Sequence, residues 1–428
     1  MLHVRRAVEA QKTGGAPGRA PSAPRWSAWC ALVALALVAC DANVVLLQPE
    51  QAGTGDAITL EVRVTDTALA ERLGWGAGTG VPSARVHVRR DETLDMRSFV
   101  ANEDGVLHLP DLPSAKYWVW AEKGLDAPSR GAPAVLAGGL LVRLKRGSTE
   151  QIQVRGQKRG SLVISEFYYH HPRSEILEYN NAYDFQMYVE LRNDADTTIY
   201  LDGKVLGTGF QYGPDSPAWP CTVTSPWRNE SRGVWAQSFQ RFPGSGGEYP
   251  LAPGDVVVIA EQAIDHSAIY PGLPDMSHAD FQFSWEDRAM NPAVPTMLPV
   301  ALRVLPIGRV MGTLYYVPFV SDDVNVDALE KSQNLQGTFA LFPRERILDL
   351  AQLVNEISLQ PTGASLCGNI VDLSLDALAA FASPYSTLRP DAHLLAAQRK
   401  VLPDGTLQRT GVSAADWEIR DRSPGRIP

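Results

Sequence analysis

The sequence predicts a mainly β protein built from two successive sandwiches, and three observations carry that expectation. Glycine and proline are frequent, 35 and 31 among 428 residues, so the chain turns often. Between the turns, short stretches alternate apolar and polar residues with the period of a half-buried strand. Stretches with helical spacing are few. Hydrophobic content of 45% and charged content of 20% are those of a folded chain, long enough for two or three domains.

The first element is a leader. Arg5, Arg6, Lys12, Arg19 and Arg25 precede an apolar run from Trp26 that closes on Leu37-Val38-Ala39-Cys40. A basic region, a short hydrophobic core and small residues are the layout of a secretory signal. The run is short for a bilayer span, which takes about 20 apolar residues. Leu three residues before Cys40 and Ala just before it resemble the lipobox of bacterial lipoproteins. That resemblance implies a signal peptide over residues 1–39 and a lipid on Cys40. It implies a place in the bacterial cell envelope, on the outer membrane or the periplasmic face of the inner one. The plain alternative is an ordinary signal peptide or a buried helix with Cys40 incidental. Without the leader's five cations and one anion the formal charge falls from −9 to −13. So acidic a chain has no electrostatic footprint for nucleic acid. Anionic head groups would repel it too, so attachment rests on the lipid. Cys30 leaves with the leader. Cys221 and Cys367 remain as an even pair in an oxidising compartment, where a disulfide is expected and two buried thiols are the alternative.

Strands follow in order. Ala57 to Val64 and Ala84 to Arg89 alternate cleanly. The glycines 74, 76, 78 and 80 between them lack the Lys-Ser/Thr of a phosphate loop and read as a connection. Asn102 to Val119 reads as an Asp-Gly turn, a strand, a proline-bounded turn and an aromatic strand. This pattern resembles the transthyretin-like, carboxypeptidase-regulatory-like sandwich, with Ala115 where that family has glycine. The first sandwich is therefore expected over residues 40–156, and the resemblance brings no catalytic set with it. The polar, glycine-flanked Gly156–Gly160 marks the expected boundary.

In residues 157–428, strands are expected from Ser161 to Tyr169, Tyr188 to Asp196, Ile199 to Gly203 and Val256 to Ala260, separated by Asn/Asp and Pro-Gly turns. Leu162-Val163-Ile164-Ser165-Glu166, Tyr188-Val189-Glu190-Leu191 and Pro253-Gly254-Asp255 resemble the lamin-tail domain, an immunoglobulin-like fold. Phe242-Pro243-Gly244-Ser245-Gly246, Ala263-Ile264-Asp265-His266 and Ser277-His278-Ala279-Asp280-Phe281 resemble a family of bacterial lipoproteins known as domain of unknown function 4876. That resemblance implies location and fold, and no activity. Two helices are expected, Arg344 to Glu356 with Ile347, Leu350, Ala351 and Val354 on one face, and Leu373 to Phe381.

Chemistry is sparse. His266, His278, Asp275, Asp280 and Asp287 could ligate a borderline cation, but their spacing fits no zinc motif, and such residues also cap turns. No metal or cofactor is expected. His170 and His171 alternate across a strand and cannot easily share a ligand. Gly244-Ser245-Gly246 lacks a nucleophile elbow, and Cys367 with His393 would be the remaining nucleophilic pair. The segment Leu206 to Glu248 gathers Tyr212, Trp219, Trp227, Trp235, Phe239 and Phe242 with Arg228, Arg232 and Arg241 interleaved, types enriched at interface hot spots. It is expected either to dock a partner, through Trp219, Trp227, Trp235, Arg228 and Arg232, or to form a satellite core under a long loop. The functional expectation is a non-catalytic, lipid-anchored binding module for an envelope protein such as an outer-membrane transporter. The rivals are a ligand-capture lipoprotein for a glycan, peptide or metal chelate, and an unrecognised hydrolase.

Overall fold

Alternation along Ile58–Val64 is realised residue by residue, with every second side chain buried, and the same logic builds a protein that is mainly strand. The computed structural model describes residues 57–64, 66–75, 79–91, 93, 96–125, 133–158, 160–168, 187–209, 230–269, 271–284, 290–299, 315–334, 337–355, 371–383 and 394–425. Cys40, Cys221 and Cys367 lie outside them, as do Trp219, Trp227, Arg228, the His170-His171 pair and His393.

The first sheet uses only residues up to 156. Its order is Met96–Val100, Arg85–Arg90, Ala115–Gly124, Val135–Leu144, Thr149–Gly156, Ile58–Val64, Val106–Leu109. All pairs are antiparallel except Ile58–Val64 with Thr149–Gly156. Leu60 and Val62 pack in one core cluster with Val86, Val88, Val119 and Ile152, which makes the sheet a sandwich closed on itself. Its turns follow the sequence chemistry. Asn102 Oδ1 accepts from the backbone N–H of Asp104 and Val106, and Gly105 sits at φ +71°, where a Cβ would stand 2.4 Å from Val81 N. The Tyr117 hydroxyl donates to Pro113 O at 2.9 Å, closing the proline turn.

Two larger sheets follow. One runs Lys331–Asn334, Gly337–Pro343, Gly233–Arg241, Val205–Gly209, Pro318–Ser321, Ile347–Leu350, with Leu298–Pro299 also paired to Gly233–Arg241. The other runs Phe281–Gln282, Val256–Ala260, Tyr188–Asn193, Leu162–Tyr168, Leu395–Arg399, Trp417–Asp421. Smaller ladders pair Ile199–Tyr200 with Pro250–Leu251, and Leu353–Asn355 with Tyr315–Tyr316 and Ala380–Ser383. Leu206 and Val320 face Ile164, Val189 and Ile259 of the other sheet, forming the second sandwich. The neighbouring Val205 and Phe319 turn the opposite way and pack with Trp118, Trp120 and Ala137 of the first sheet. The middle sheet is therefore buried on both faces. Gln157, between the two sandwiches, is itself buried, and its side-chain amide donates to Leu407 O.

Two expectations are corrected here. Arg344 to Glu356 is not a helix: a single 3-10 turn, Arg344–Arg346, leads into strands Ile347–Leu350 and Leu353–Asn355. The chain changes sheets at Ala351-Gln352, and that corner mimics helical spacing while the strands on either side pair in ladders, with one irregularity at Leu348. Leu373 to Phe381 is a run of turns ending in the strand Ala380–Ser383.

The aromatic segment is also corrected where it is described. Val205–Gly209 and Gly233–Arg241 are central strands, and Trp235, Phe239 and Phe242 are 4%, 1% and 0% exposed. Aromatic residues are strong strand formers, and here they fill the cluster between layers. Trp235 is thus a core residue. Trp235→Ala is expected to destabilise the fold by about 3–5 kcal/mol, measured by denaturant melts; a change within about 0.5 kcal/mol, typical of exposed sites, would contradict this placement.

Candidate functional site

The site grows from a buried charge. Arg399, on Leu395–Arg399, is 3% exposed. Its guanidinium donates to Asp349 Oδ2 at 2.7 Å, to Asp416 Oδ2 at 3.5 Å, and to the carbonyls of Ile164, Leu350 and Gln408. It also lies 4.9 Å over the Trp417 ring. Burial pushes the Asp416 carboxyl up to about 6, against the pull of Arg399 and the Thr410 hydroxyl. Asp349 further accepts from Ile164 N and from Arg409 Nε, at 2.9 and 3.0 Å.

Above this cluster opens a cleft of about 80 Å³. Four cations line it, Lys158, Arg344, Arg399 and Arg409, against two carboxylates, Asp349 and Asp416. Arg399 and Arg409 are matched to those carboxylates. Arg344 is not: its guanidinium donates to the hydroxyl and the carbonyl of Ser374. Arg155 donates to that same Ser374 carbonyl, at 3.3 Å, and to Leu373 O and Gly411 O. Two guanidiniums thus meet at one neutral oxygen. Lys158 is held by its backbone N–H, which donates to Arg409 O, while its ammonium has no partner among the described residues. Desolvation lowers the Lys158 pKa, Arg409 lowers it further, Asp349 opposes, and Arg155 and Arg344 add to the lowering. Such a cleft gains by taking up an anion.

Two further constellations are tightly built. On the outer face of the last sheet, Glu166 and Glu190 are 2% and 1% exposed. Glu166 accepts from the Tyr188 hydroxyl, Gln398 Nε2 and both the backbone and hydroxyl of Ser423; Glu190 accepts from the Ser165 hydroxyl and Gly425 N. Desolvation raises both carboxyls, that of Glu190 to about 7. In the first sheet, Ser98 Oγ stands 2.7 Å from His87 Nδ1, and Glu122 Oε1 lies 3.3 Å from His87 Nε2. Glu122 Oε2 pairs with Lys400 Nζ at 3.2 Å. Burial would raise the Glu122 carboxyl, but the hydrogen bond from His87 and the Lys400 charge overcome it and bring the value to about 2. Ser98 is 6% exposed in a regular strand.

The residues singled out in the sequence fall elsewhere. Trp235 is in the core, and Arg232 is exposed but bonded to Glu230 and Glu330. His266 is fully buried, its Nε2 2.9 Å from Gln262 O, and desolvation brings it down to about 4. Asp265 and Asp275 accept from the backbone of Ser267 and Ser277, and Asp280 accepts from Val258 N. Among the described residues no three His, Cys, Asp or Glu side chains gather as a metal site; Asp287 lies outside them. The Gly244-Ser245-Gly246 stretch wraps a carboxylate: Asp202 accepts from four successive backbone N–H groups, Gly246 to Tyr249, at 2.9–3.1 Å. Sequence reasoning missed the cleft, because Lys158, Arg344, Arg399 and Arg409 are scattered singly over 250 residues.

No family model matches the chain, and no curated protein matches it. Among solved structures, the crystal structure of a DUF4876 family protein from Bacteroides thetaiotaomicron is similar over 87% of this chain and 96% of that one, at 20% identity and a TM-score of 0.45. No residue role is carried over from it.

The buried glutamates give a signed pH dependence. A carboxyl raised in the folded state stabilises the fold while protonated, and that contribution is lost as pH rises from about 4.5 through 7. Glu190→Gln mimics the protonated acid. It is expected to match the wild type near pH 5 and to exceed it by roughly 2 kcal/mol near pH 8.5. Denaturant melts at the two pH values check this, and a gap independent of pH would refute it.

Proposed function

We propose that the protein is a lipid-anchored, non-catalytic binding module of the bacterial envelope that holds a partner by an oxyanion group, carboxylate or phosphate, in the cationic cleft. The observation that carries this reading is Lys158, an exposed side chain whose ammonium has no partner among the described residues and which lines the cleft with Arg344 and Arg409. A cleft of about 80 Å³ takes a head group and leaves the rest of the ligand outside, which suits a terminal acid of a peptide or an acidic glycan. Such a ligand could equally be displayed by an envelope protein. A hydrolase reading would rest on Ser98, His87 and Glu122. It is disfavoured because Ser98 is buried in mid-strand, and the second oxygen of Glu122 is spent on Lys400.

Titration calorimetry with inorganic phosphate and with acetate tests the cleft. Lys158→Met is the clean variant, since the ammonium makes no bond among the described residues whose loss would unfold the chain. Wild-type binding should weaken at least tenfold in the variant, the worth of one charge-assisted hydrogen bond of about 1.5 kcal/mol or more, with an unchanged melt. Equal binding by both proteins would refute the reading, as would no binding of either anion at tens of millimolar.

Anchoring belongs to the same proposal and is tested separately. Each buried CH₂ contributes about 0.8 kcal/mol, so several acyl chains on Cys40 would hold the chain firmly. Cys40→Ser is expected to leave the membrane fraction or to accumulate as precursor. Unchanged fractionation and size would refute the anchor and leave the cleft untouched.

A further inference from the structure

We propose that a cavity beside Tyr117, in the first sandwich, is a second binding site shaped for a small apolar carboxylate. It has a volume of about 160 Å³, with a floor of Val88, Leu112, Pro113 and Tyr117 and a rim of Arg90, Thr93 and Arg97. Strand register puts these groups together. Arg97 stands directly opposite Val88, and Tyr117 directly opposite Arg90. Directly opposed residues share a face, and Arg90 is two places beyond Val88, so all four point to the inner side of the sandwich. At the sheet's edge, that inner side is where the core becomes accessible.

The floor is apolar in substance. Val88, Leu112 and Tyr117 are 2%, 4% and 3% exposed and belong to the core cluster. The Tyr117 hydroxyl is committed to Pro113 O, so its ring serves as a wall and not as a donor. The rim is cationic, and among the described residues no acidic residue lines the cavity. Arg97 is exposed and makes no hydrogen bond or ion pair among the described residues; Arg90 has interactions of its own and contributes its charge. Both guanidiniums act on the Tyr117 phenol, opposing the rise that its burial causes.

These features select a ligand class. A cavity near 150 Å³ holds a six-carbon ring such as benzene, so this one takes a ring or a branched aliphatic body. A guanidinium recognises a carboxylate through two parallel charge-assisted bonds. A carboxylate suits the rim better than a phosphate, because beyond the guanidiniums only the Thr93 hydroxyl is at hand and the floor of Val88 and Leu112 offers no donor to extra oxygens. The site is separate from the cationic cleft and takes a different ligand: here the body is bound as well as the head group.

Benzoate is the probe, titrated calorimetrically into the full chain, with benzamide as its neutral isostere. Saturable binding of benzoate in the millimolar range is expected, with benzamide at least tenfold weaker. Arg97→Gln should lose at least tenfold with an unchanged melt, and Lys158→Met, which removes only the cleft's hold on carboxylates, should keep the Arg97-dependent benzoate site. No saturation by the wild type overturns the proposal, as does equal binding of benzamide or undiminished binding by Arg97→Gln. Loss in Lys158→Met with retention in Arg97→Gln overturns it as well, since the carboxylate then sits in the cleft.

Discussion

One buried guanidinium holds the second sandwich in register. Arg399 takes its acceptors from four places far apart in sequence: Ile164, Asp349 with Leu350, Gln408 and Asp416. Taking such a charge out of water costs several kcal/mol, and only complete pairing offsets it. Only one arrangement of the strand Leu162–Tyr168, the strand Ile347–Leu350 and the terminal hairpin brings all of these oxygens to one point. The pair is thus a constraint on topology more than a source of net stability. Removing one partner would leave the other charge buried and uncompensated, at about 3–5 kcal/mol.

The same constraint shapes the strand beside it. Asp349 Oδ2 accepts from Ile164 N as well as from Arg399, which draws that N–H away from the regular ladder. The pairing with Tyr188–Asn193 shifts register at this point, between Ile164 and Glu166. A bulge re-aims every side chain after it. Glu166 then joins Tyr168, Tyr188 and Glu190 on the outer face, where the two carboxylates receive the backbone N–H groups of Ser423 and Gly425. The end of the chain is fastened by acids that burial has made hard to ionise. A single aspartate therefore links the inner charge cluster to the outer latch.

What could be read in advance follows from the range of each interaction. Ile58–Val64 is legible because period two is local and one buried face enforces it, and Val256–Ala260, buried on both faces, because it is a short apolar run bounded by a Pro-Gly turn. The Asp-Gly turn at Gly105 is legible for the same reason. The stretch after Arg344 misleads, since the apolar residues of two strands joined by a corner mimic a helical face; only the pairing partners, tens of residues away, decide otherwise. Trp235 misleads in another way. Composition records that it is aromatic beside arginine, but whether its strand lies at an edge or between two neighbours is a property of topology. The cleft is the extreme case, a meeting of single cations that no window along the chain contains.

The placement of the cleft has a physical logic. The link between the sandwiches is short, and Gln157 and Lys158 are bonded to Leu407 and Arg409 of the terminal hairpin, so the seam is narrow and rigid. Arg155 enters that seam from the first sheet and Arg344 from the middle sheet, and both grip the carbonyl of Ser374. The backbone bonds that join these segments bring the like charges to one place, where they sum to a local positive field. In a chain with a formal charge of −9, cations would ordinarily be neutralised by the nearest acid. Here Asp349 and Asp416 are bonded to Arg399, Asp349 also to Arg409, and the further carboxylates near Arg155, Asp376 and Asp372, accept from the backbone of Ser413 and Ser374. The buried charge that orders the fold thereby leaves its neighbours in the cleft short of anions, and that deficit is what a ligand can fill.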